Sequence, residues 1–417
     1  MPSLNKIRPS LRRLRVALTV FFALDGFVFA GWVVRIPAIK RQVGASAGEL
    51  GMALLGVSAG AVLTMVVTGW LCTRFGSHAV TVACGVLLSL SIALPPLTHS
   101  ALALGLVLLV FGAAYGGMNV SINSAAVELV TALRRPVMPT FHAAFSLGGL
   151  LGAGLGALVA PYLTPTRHLL VLTAVGLATT AVSGAVMLRS RIAAVPGDES
   201  TAPAPRTGRA PLIVALFGLI ALCTAYGEGA LADWGALHIE QDLHTGPGAA
   251  AAGYAAFSLA MTAGRLSGTR LLERTGQTTA LALGGLTAAA GMLVASLAPL
   301  TWLVIAGFAV TGLGLANIFP IAVARAGALA GPGGVATAST FGYSGMLLGP
   351  PAIGFLADQV GLPTALTTVA LLAALAAAVA YAVRGTARQS AHGVPGAPRG
   401  IAQGGRTAGC GSGPRRP

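Results

Sequence analysis

VALTVFFALDGFVFAGWVVRI, residues 16–36, is an apolar stretch with a single acid, Asp25, and it follows Lys6, Arg8, Arg12, Arg13 and Arg15. A hydrocarbon core ~30 Å thick needs about 20 apolar residues in a helix. The basic run ahead of it looks like the start of a signal peptide. The stretch is long, however, it carries Asp25, and no small-residue cleavage site follows before further apolar segments. We therefore read it as a retained membrane helix. Segments of similar length recur at 50–72, 79–97, 101–127, 140–163 and 168–188. A second set lies at 211–237, 249–270, 278–297, 300–324, 335–357 and 362–383. Lipid offers no partner to an open backbone, so each is expected to be helical.

Composition agrees. Of 417 residues, 55% are hydrophobic and 9% charged, against about 25% charged in a soluble protein. The mean hydropathy is +0.81. The net charge of +15 could suggest nucleic acid, but the basic residues sit in short stretches between apolar runs, which fits membrane orientation instead. With the N-terminus inside, only Arg35, Lys40, Arg41 and Arg167 of the 26 basic residues fall outside. Arg265 counts with Arg270 and Arg274 in the inner region between spans 8 and 9. Both termini are thus expected in the cytoplasm of a bacterial plasma membrane. Trp32, Trp70, Trp234 and Trp302 lie near predicted helix ends, where an interfacial belt would place them. Cys72, Cys84 and Cys223 fall inside apolar runs and Cys410 in the tail, without metal-ligand or disulfide spacing. No cofactor or metal is implied.

The organisation reads as a cytoplasmic N-terminus (1–15), a six-helix bundle (16–188), a linker (189–210), a second bundle (211–384) and a tail (385–417). The linker is rich in Pro, Ala and charge, and the tail in Gly, Pro and Arg, so both read as flexible. Shifting the chain by 200 residues lays Leu71, Arg74, Gly76 and Gly85 on Leu271, Arg274, Gly276 and Gly285. Gly112 falls on Gly312, Thr140-Phe141 on Thr340-Phe341, and Leu147, Gly149 and Gly154 on Leu347, Gly349 and Gly354. Trp32 lies near Trp234 with a slightly different offset. The constant shift predicts two parallel halves of six helices.

These features together resemble the major facilitator superfamily. Its motif between helices 2 and 3, roughly G-x-L-x-D-R-x-G-R, is similar to GWLCTRFGSH at 69–78, where Gly69, Leu71, Arg74 and Gly76 match. Thr73 replaces the acid, and His78, one place beyond the motif as written, stands for the usual base, so the gate either is altered or borrows Glu128. The second copy, TRLLERTGQ at 269–277, keeps Glu273 beside Arg274. GGMNVSINSAAVE (116–128), FHAAFSLGGLLG (141–152), EGALADW (228–234) and GYSGMLLGPPAIGFLAD (342–358) resemble a bacterial branch related to the fucose permease. In that group helix 1 carries an essential acid, which Asp25 matches. Helix 4 carries a second acid four residues before an asparagine. Here Asn119, four before Asn123, stands in its place, so that coupling scheme does not carry over whole. The resemblance implies an all-α membrane protein of twelve transmembrane helices in two pseudo-symmetric bundles. It implies a secondary transporter, not an enzyme, working as a monomer on a small-molecule substrate.

Several polar residues inside the spans are candidates for that work. Asp25 lies about nine residues into helix 1, roughly 14 Å deep. A carboxylate there costs several kcal/mol unless it meets water or a partner. This suits a proton carrier, with a structural acid as the plain alternative. Phe29 and Trp32 share its face. Asn119 and Asn123 offer amides to one surface, for a polar ligand or for a neighbouring helix. Glu228 lies between Gly227 and Gly229, where a helix can break, and it could share proton coupling with Asp25. Asp233 and Arg35 lie near the outer ends of equivalent helices and are expected to form an outer gate pair. It would be closed when the cavity opens inward and broken when it opens outward. Two interfacial charges of little consequence are the alternative.

His142, with Ser146 one turn on, has a proton role or an interfacial packing role open to it. Tyr254, Ser258 and Thr262 form a polar stripe on helix 8, and Asn317 is polar within helix 10. They could line a pocket or join helices. Gly148, Gly152 and Gly156, like Gly345 and Gly349, permit close helix approach. Pro320, Pro350 and Pro351 are expected to kink helices 10 and 11. No nucleotide-binding motif appears, so ATP is not the expected energy source. The sequence favours proton-coupled uptake of a sugar-like or other polar solute. Efflux of drug-like molecules or metabolites is the alternative, and a non-transporting sensor or scaffold is a reading of another class.

Overall fold

The computed structural model describes residues 4–45, 47–190, 210–245 and 247–384. The linker and the tail read from sequence therefore lie almost wholly outside the described residues. The first half runs α1 (Leu4–Val33), α2 (Ile36–Val43), α3 (Ala47–Phe75), α4 (Ser77–Ser91), α5 (Ala101–Leu133), α6 (Met138–Val159) and α7 (Pro165–Arg189). The second runs α8 (Ala210–Leu237), α9 (Pro247–Thr275), α10 (Gln277–Leu297), α11 (Thr301–Leu315), α12 (Ile318–Val360) and α13 (Leu362–Ala382).

Nine described stretches are long and apolar enough to cross a membrane. The stretch from Thr301 to Val360 holds two crossings, because α12 bends at Ala330 and Gly331 (φ +57°). With α6 and α9, twelve helices cross. Apolar side chains cover the outside: Leu102 is 76%, Val182 71% and Phe355 70% exposed, a surface that lipid solvates and water does not. The remaining helix, α2, is short and amphipathic. Ile39 is buried beneath it and Gln42 Nε2 donates to the carbonyls of Pro96 and Thr98, each at 2.8 Å.

The repeat is visible in the geometry. α3 and α9 begin and end 200 residues apart, and each ends in a glycine with positive φ, +86° at Gly76 and +77° at Gly276. Glycine alone takes such a turn cheaply. Gly112 of α5 lies against the Val57 backbone of α3, and Gly312 of α11 lies against the Phe257 backbone of α9. The same contact is therefore built twice, 200 residues apart.

Two proline expectations change. Pro320 does interrupt its crossing, which breaks at Ala316–Asn317 between α11 and α12. Pro350 and Pro351 leave α12 continuous, its non-helical backbone among the described residues lying at Ala330 and Gly331. The glycines around Glu228 leave α8 unbroken. Gly227 accommodates Val369 and Leu315, and Gly229 accommodates Met346.

Chain direction alternates from crossing to crossing, so one end of the molecule carries the α3–α4, α5–α6 and α9–α10 turns and the Ala330–Gly331 bend. We call it the hinge end. The halves meet closely there. Gly69 packs on Ala336 and Pro332, Gly327 on Val127, and Gly268 on Pro139. Thr140 and Thr269 share a hydrogen bond of 3.0 Å, and Arg135 pairs with Glu273. Further in, the rings of Tyr115 and Tyr343 meet edge-on at 6.0 Å.

Candidate transport site between the two halves

Asp25 is fully buried on α1, and both its carboxylate oxygens lack a hydrogen-bond partner. The tightness of this place begins with Gly26. The Phe145 carbonyl of α6 occupies the space a Cβ would need, so α1 and α6 run in backbone contact. Tyr115 of α5 and Tyr343 of α12 lie within electrostatic reach of Asp25, as does Cys84. Phe29 stacks on Tyr115 at 4.8 Å, and Tyr115 on Phe111 at 6.3 Å. Trp32 continues the row against Phe111 and is only 2% exposed. It is thus a packing residue of the interior and not a member of an interfacial belt. Trp70 and Trp302 do face outward.

Below this aromatic row, α5 turns polar at four-residue spacing: Tyr115, Asn119, Asn123. Asn123 Nδ2 donates to the Asn119 carbonyl at 2.8 Å, and its Oδ1 faces His142 Nε2 at 3.1 Å. That arrangement makes His142 a donor at Nε2. His142 is buried between Phe22 and Phe319, with ring centroids 5.4 and 5.8 Å away. The interfacial place considered for it is not where it sits. Ser146 Oγ donates to the His142 carbonyl at 3.1 Å.

On the facing half the centre is Arg265 of α9, which is 7% exposed. Its Nη1 donates to Ser146 Oγ across the interface at 2.7 Å, and Nη2 to Glu228 Oε1 and Oε2 at 3.2 and 3.4 Å. Its Nε donates to the Ala316 carbonyl at 3.2 Å. The last bond has a clear origin. Proline has no N–H, so Pro320 leaves the carbonyl four residues earlier without its helical donor. That carbonyl belongs to Ala316, and Arg265 takes it. Asn317, in the break, donates from Nδ2 to the Gly264 carbonyl at 3.0 Å, while its Oδ1 is buried without a partner. Tyr254, Ser258, Thr262 and Arg265 form one stripe of α9. Tyr254 is 43% exposed and within reach of Glu228 and Asp233.

The site therefore presents one buried acid without a partner, one buried cation with a half-exposed acid, and amide, imidazole and phenol groups from both halves. The sequence pattern of the Major Facilitator Superfamily matches residues 16–227 and again 217–408. This chain belongs to the Major Facilitator Superfamily. It is 33% identical to an uncharacterized MFS-type transporter of Yersinia pestis over 370 residues, 88% of this chain and 94% of that one. Its fold is similar to that of the fucose:proton symporter of Escherichia coli, with a TM-score of 0.67 at 17% identity over 88% of this chain and 97% of that one. It is also similar to the human organic anion transporter MFSD10, with a TM-score of 0.72 at 17% identity over 89% and 99%. The protein is a multi-pass membrane transporter for a small molecule, not an enzyme.

The superfamily motif folds differently from its expected wiring. Arg74 is exposed and lies over the Phe75 ring at 5.9 Å. Glu128 does approach the motif, but through Ser77, whose Oγ donates to it at 2.7 Å, and His78 at 3.8 Å. In the second copy Glu273 bonds Arg135 of the other half, from Nη2 at 2.7 Å and Nε at 2.9 Å, while Arg274 stays exposed. With the hinge end closed, Arg35 and Asp233 stand apart, as the gate reading expects of a form closed inward. Arg35 is buried within its own half, donating from Nε to His168 Nδ1 at 2.8 Å, and Asp233 is exposed. Sequence reasoning missed Arg265, Tyr115 and Tyr343 as site residues. Arg265 is buried in the bundle, not placed in a loop. A signal was present for two of them, since Arg265 extends the Tyr254 stripe and Tyr115 begins the Asn119–Asn123 row.

Proposed function

We propose that this transporter is a proton-coupled secondary carrier of a small polar solute, working by alternating access between its two halves. The observation that carries the reading is Asp25, buried with both carboxylate oxygens unpartnered. A charge so placed costs far more than a neutral, protonated acid does. A group that must bind and lose its proton as water reaches it is suited to coupling. Glu228 is the second coupling acid. The polar residues Asn119, Asn123, Tyr254, Ser258 and Asn317, with Phe29 as an apolar wall, provide the substrate surface. Their hydrogen-bonding capacity favours a polar solute over a drug-like one.

The distribution of basic residues supports an orientation with both termini in the cytoplasm, in which the hinge end is the inner side. Contacts between the halves at that end describe a form closed inward, which a carrier engaged in uptake passes through when it loads from outside. The names of the two structural neighbours do not choose a cargo, because one fold serves both. The test is proton movement in proteoliposomes as sugars, amino acids and organic acids are added in turn. Solute-dependent proton entry lost in Asp25→Asn supports the reading, and entry unchanged in that variant refutes it.

A further inference from the structure

The Arg265–Glu228 contact is poorly made for an ion pair. Both Glu228 oxygens share the single nitrogen Nη2 at 3.2 and 3.4 Å. A fork-to-fork guanidinium–carboxylate pair has two parallel bonds of about 2.7–2.9 Å. The same guanidinium makes its shortest bond to Ser146, at 2.7 Å, and it meets the Ala316 carbonyl at the same 3.2 Å as the nearer Glu228 oxygen. The two partners also differ in exposure. The Arg265 side chain is 8% exposed and that of Glu228 29%. The cation is fixed and dry, while the acid is loose and wetted.

A buried guanidinium needs an anion, and it binds best one that can meet two of its N–H groups at once. Building on the transporter reading above, we infer that Arg265 binds a carboxylate of the transported solute and that Glu228 holds its place while the site is empty. The solute is a small organic acid, and the phenols of Tyr115, Tyr343 and Tyr254, which interact electrostatically with Glu228, are offered to its remaining polar groups. Among the described residues Glu228 contacts Arg265 and interacts electrostatically with Tyr254 of α9, Tyr343 of α12 and Tyr115 of α5. Asp25 acts on the same tyrosines from α1. When the solute carboxylate takes the guanidinium, Glu228 turns to the water that reaches its exposed side.

The decisive experiment needs no knowledge of the natural solute. Glu228→Ala opens room beside Arg265 and leaves its charge uncompensated. Thermal unfolding of the full-length protein in nanodiscs is followed with acetate and with acetamide. The variant should melt below wild type, acetate should restore most of the loss, and acetamide should restore none. Adding Arg265→Gln should abolish the response. Glu228→Gln, which keeps the side-chain shape, should also respond to acetate if the alanine variant does not fold. Equal effects of acetate and acetamide, or no effect in either variant, overturn the inference. Proton movement in proteoliposomes separates this failure from that of the parent reading. Asp25-dependent movement without acetate rescue leaves the carrier and removes the carboxylate. Rescue without movement for any solute does the reverse.

Discussion

Replacing Arg135 by alanine removes the ion pair that crosses the hinge end, and its size can be set from the geometry. Arg135 makes two bonds to one Glu273 oxygen, at 2.7 and 2.9 Å, with side chains 58% and 36% exposed. Exposed pairs contribute about 0–1 kcal/mol, because water solvates the separated charges nearly as well. If the pair forms only when the hinge end is closed, its loss moves the equilibrium toward the open form by at most about fivefold. Arg135→Glu sets two like charges against each other and should move it further, and Arg135→Glu with Glu273→Arg should restore it. Spin labels at the exposed positions Thr131 and Leu271, on either side of the gap, report the populations in a Cys410→Ser background. High salt should shrink all these differences. A shift above tenfold in Arg135→Ala, or a double reversal that restores nothing, would refute the latch reasoning.

Three further outcomes follow from packing and hydrogen bonding. Gly112→Ala and Gly312→Ala each push a methyl group onto a neighbouring backbone and should cost about 1–3 kcal/mol. Gly154→Ala meets open space and should be neutral or slightly stabilising, which melting in detergent can check. His142→Ala strips the buried Asn123 carboxamide oxygen of its donor and should cost about 1–3 kcal/mol. The double variant with Asn123→Ala should cost less than the sum, and strict additivity would deny the contact. In the same kind of cycle Arg35 should couple in stability to His168 and not to Asp233.

The fold was legible because it is written twice. Gly76 and Gly276 announce the same turn at the same offset, and the α3 and α9 boundaries follow it. Asp25 stood out as an acid in an apolar run. The partners were not legible, because each depends on a contact between distant elements. Arg265 lies near the end of its span, where a long side chain usually reaches toward water. It turns inward because Pro320 frees the Ala316 carbonyl and Ser146 waits on the other half. Arg35 had Asp233 as its evident counter-charge, but His168, more than 130 residues along the chain, receives its bond. The motif led to Arg74, while the contact between halves is made by Arg135, outside the motif.

The central claim is that Asp25 couples proton flow to solute movement. It is tested most directly by comparing gradient-driven accumulation with solute exchange in proteoliposomes, for wild type and Asp25→Asn. Exchange at equal pH needs the alternating motion and the solute site, but no net proton transfer. The account predicts that Asp25→Asn keeps exchange and loses accumulation driven by a pH gradient. Accumulation at the wild-type level in Asp25→Asn would contradict it.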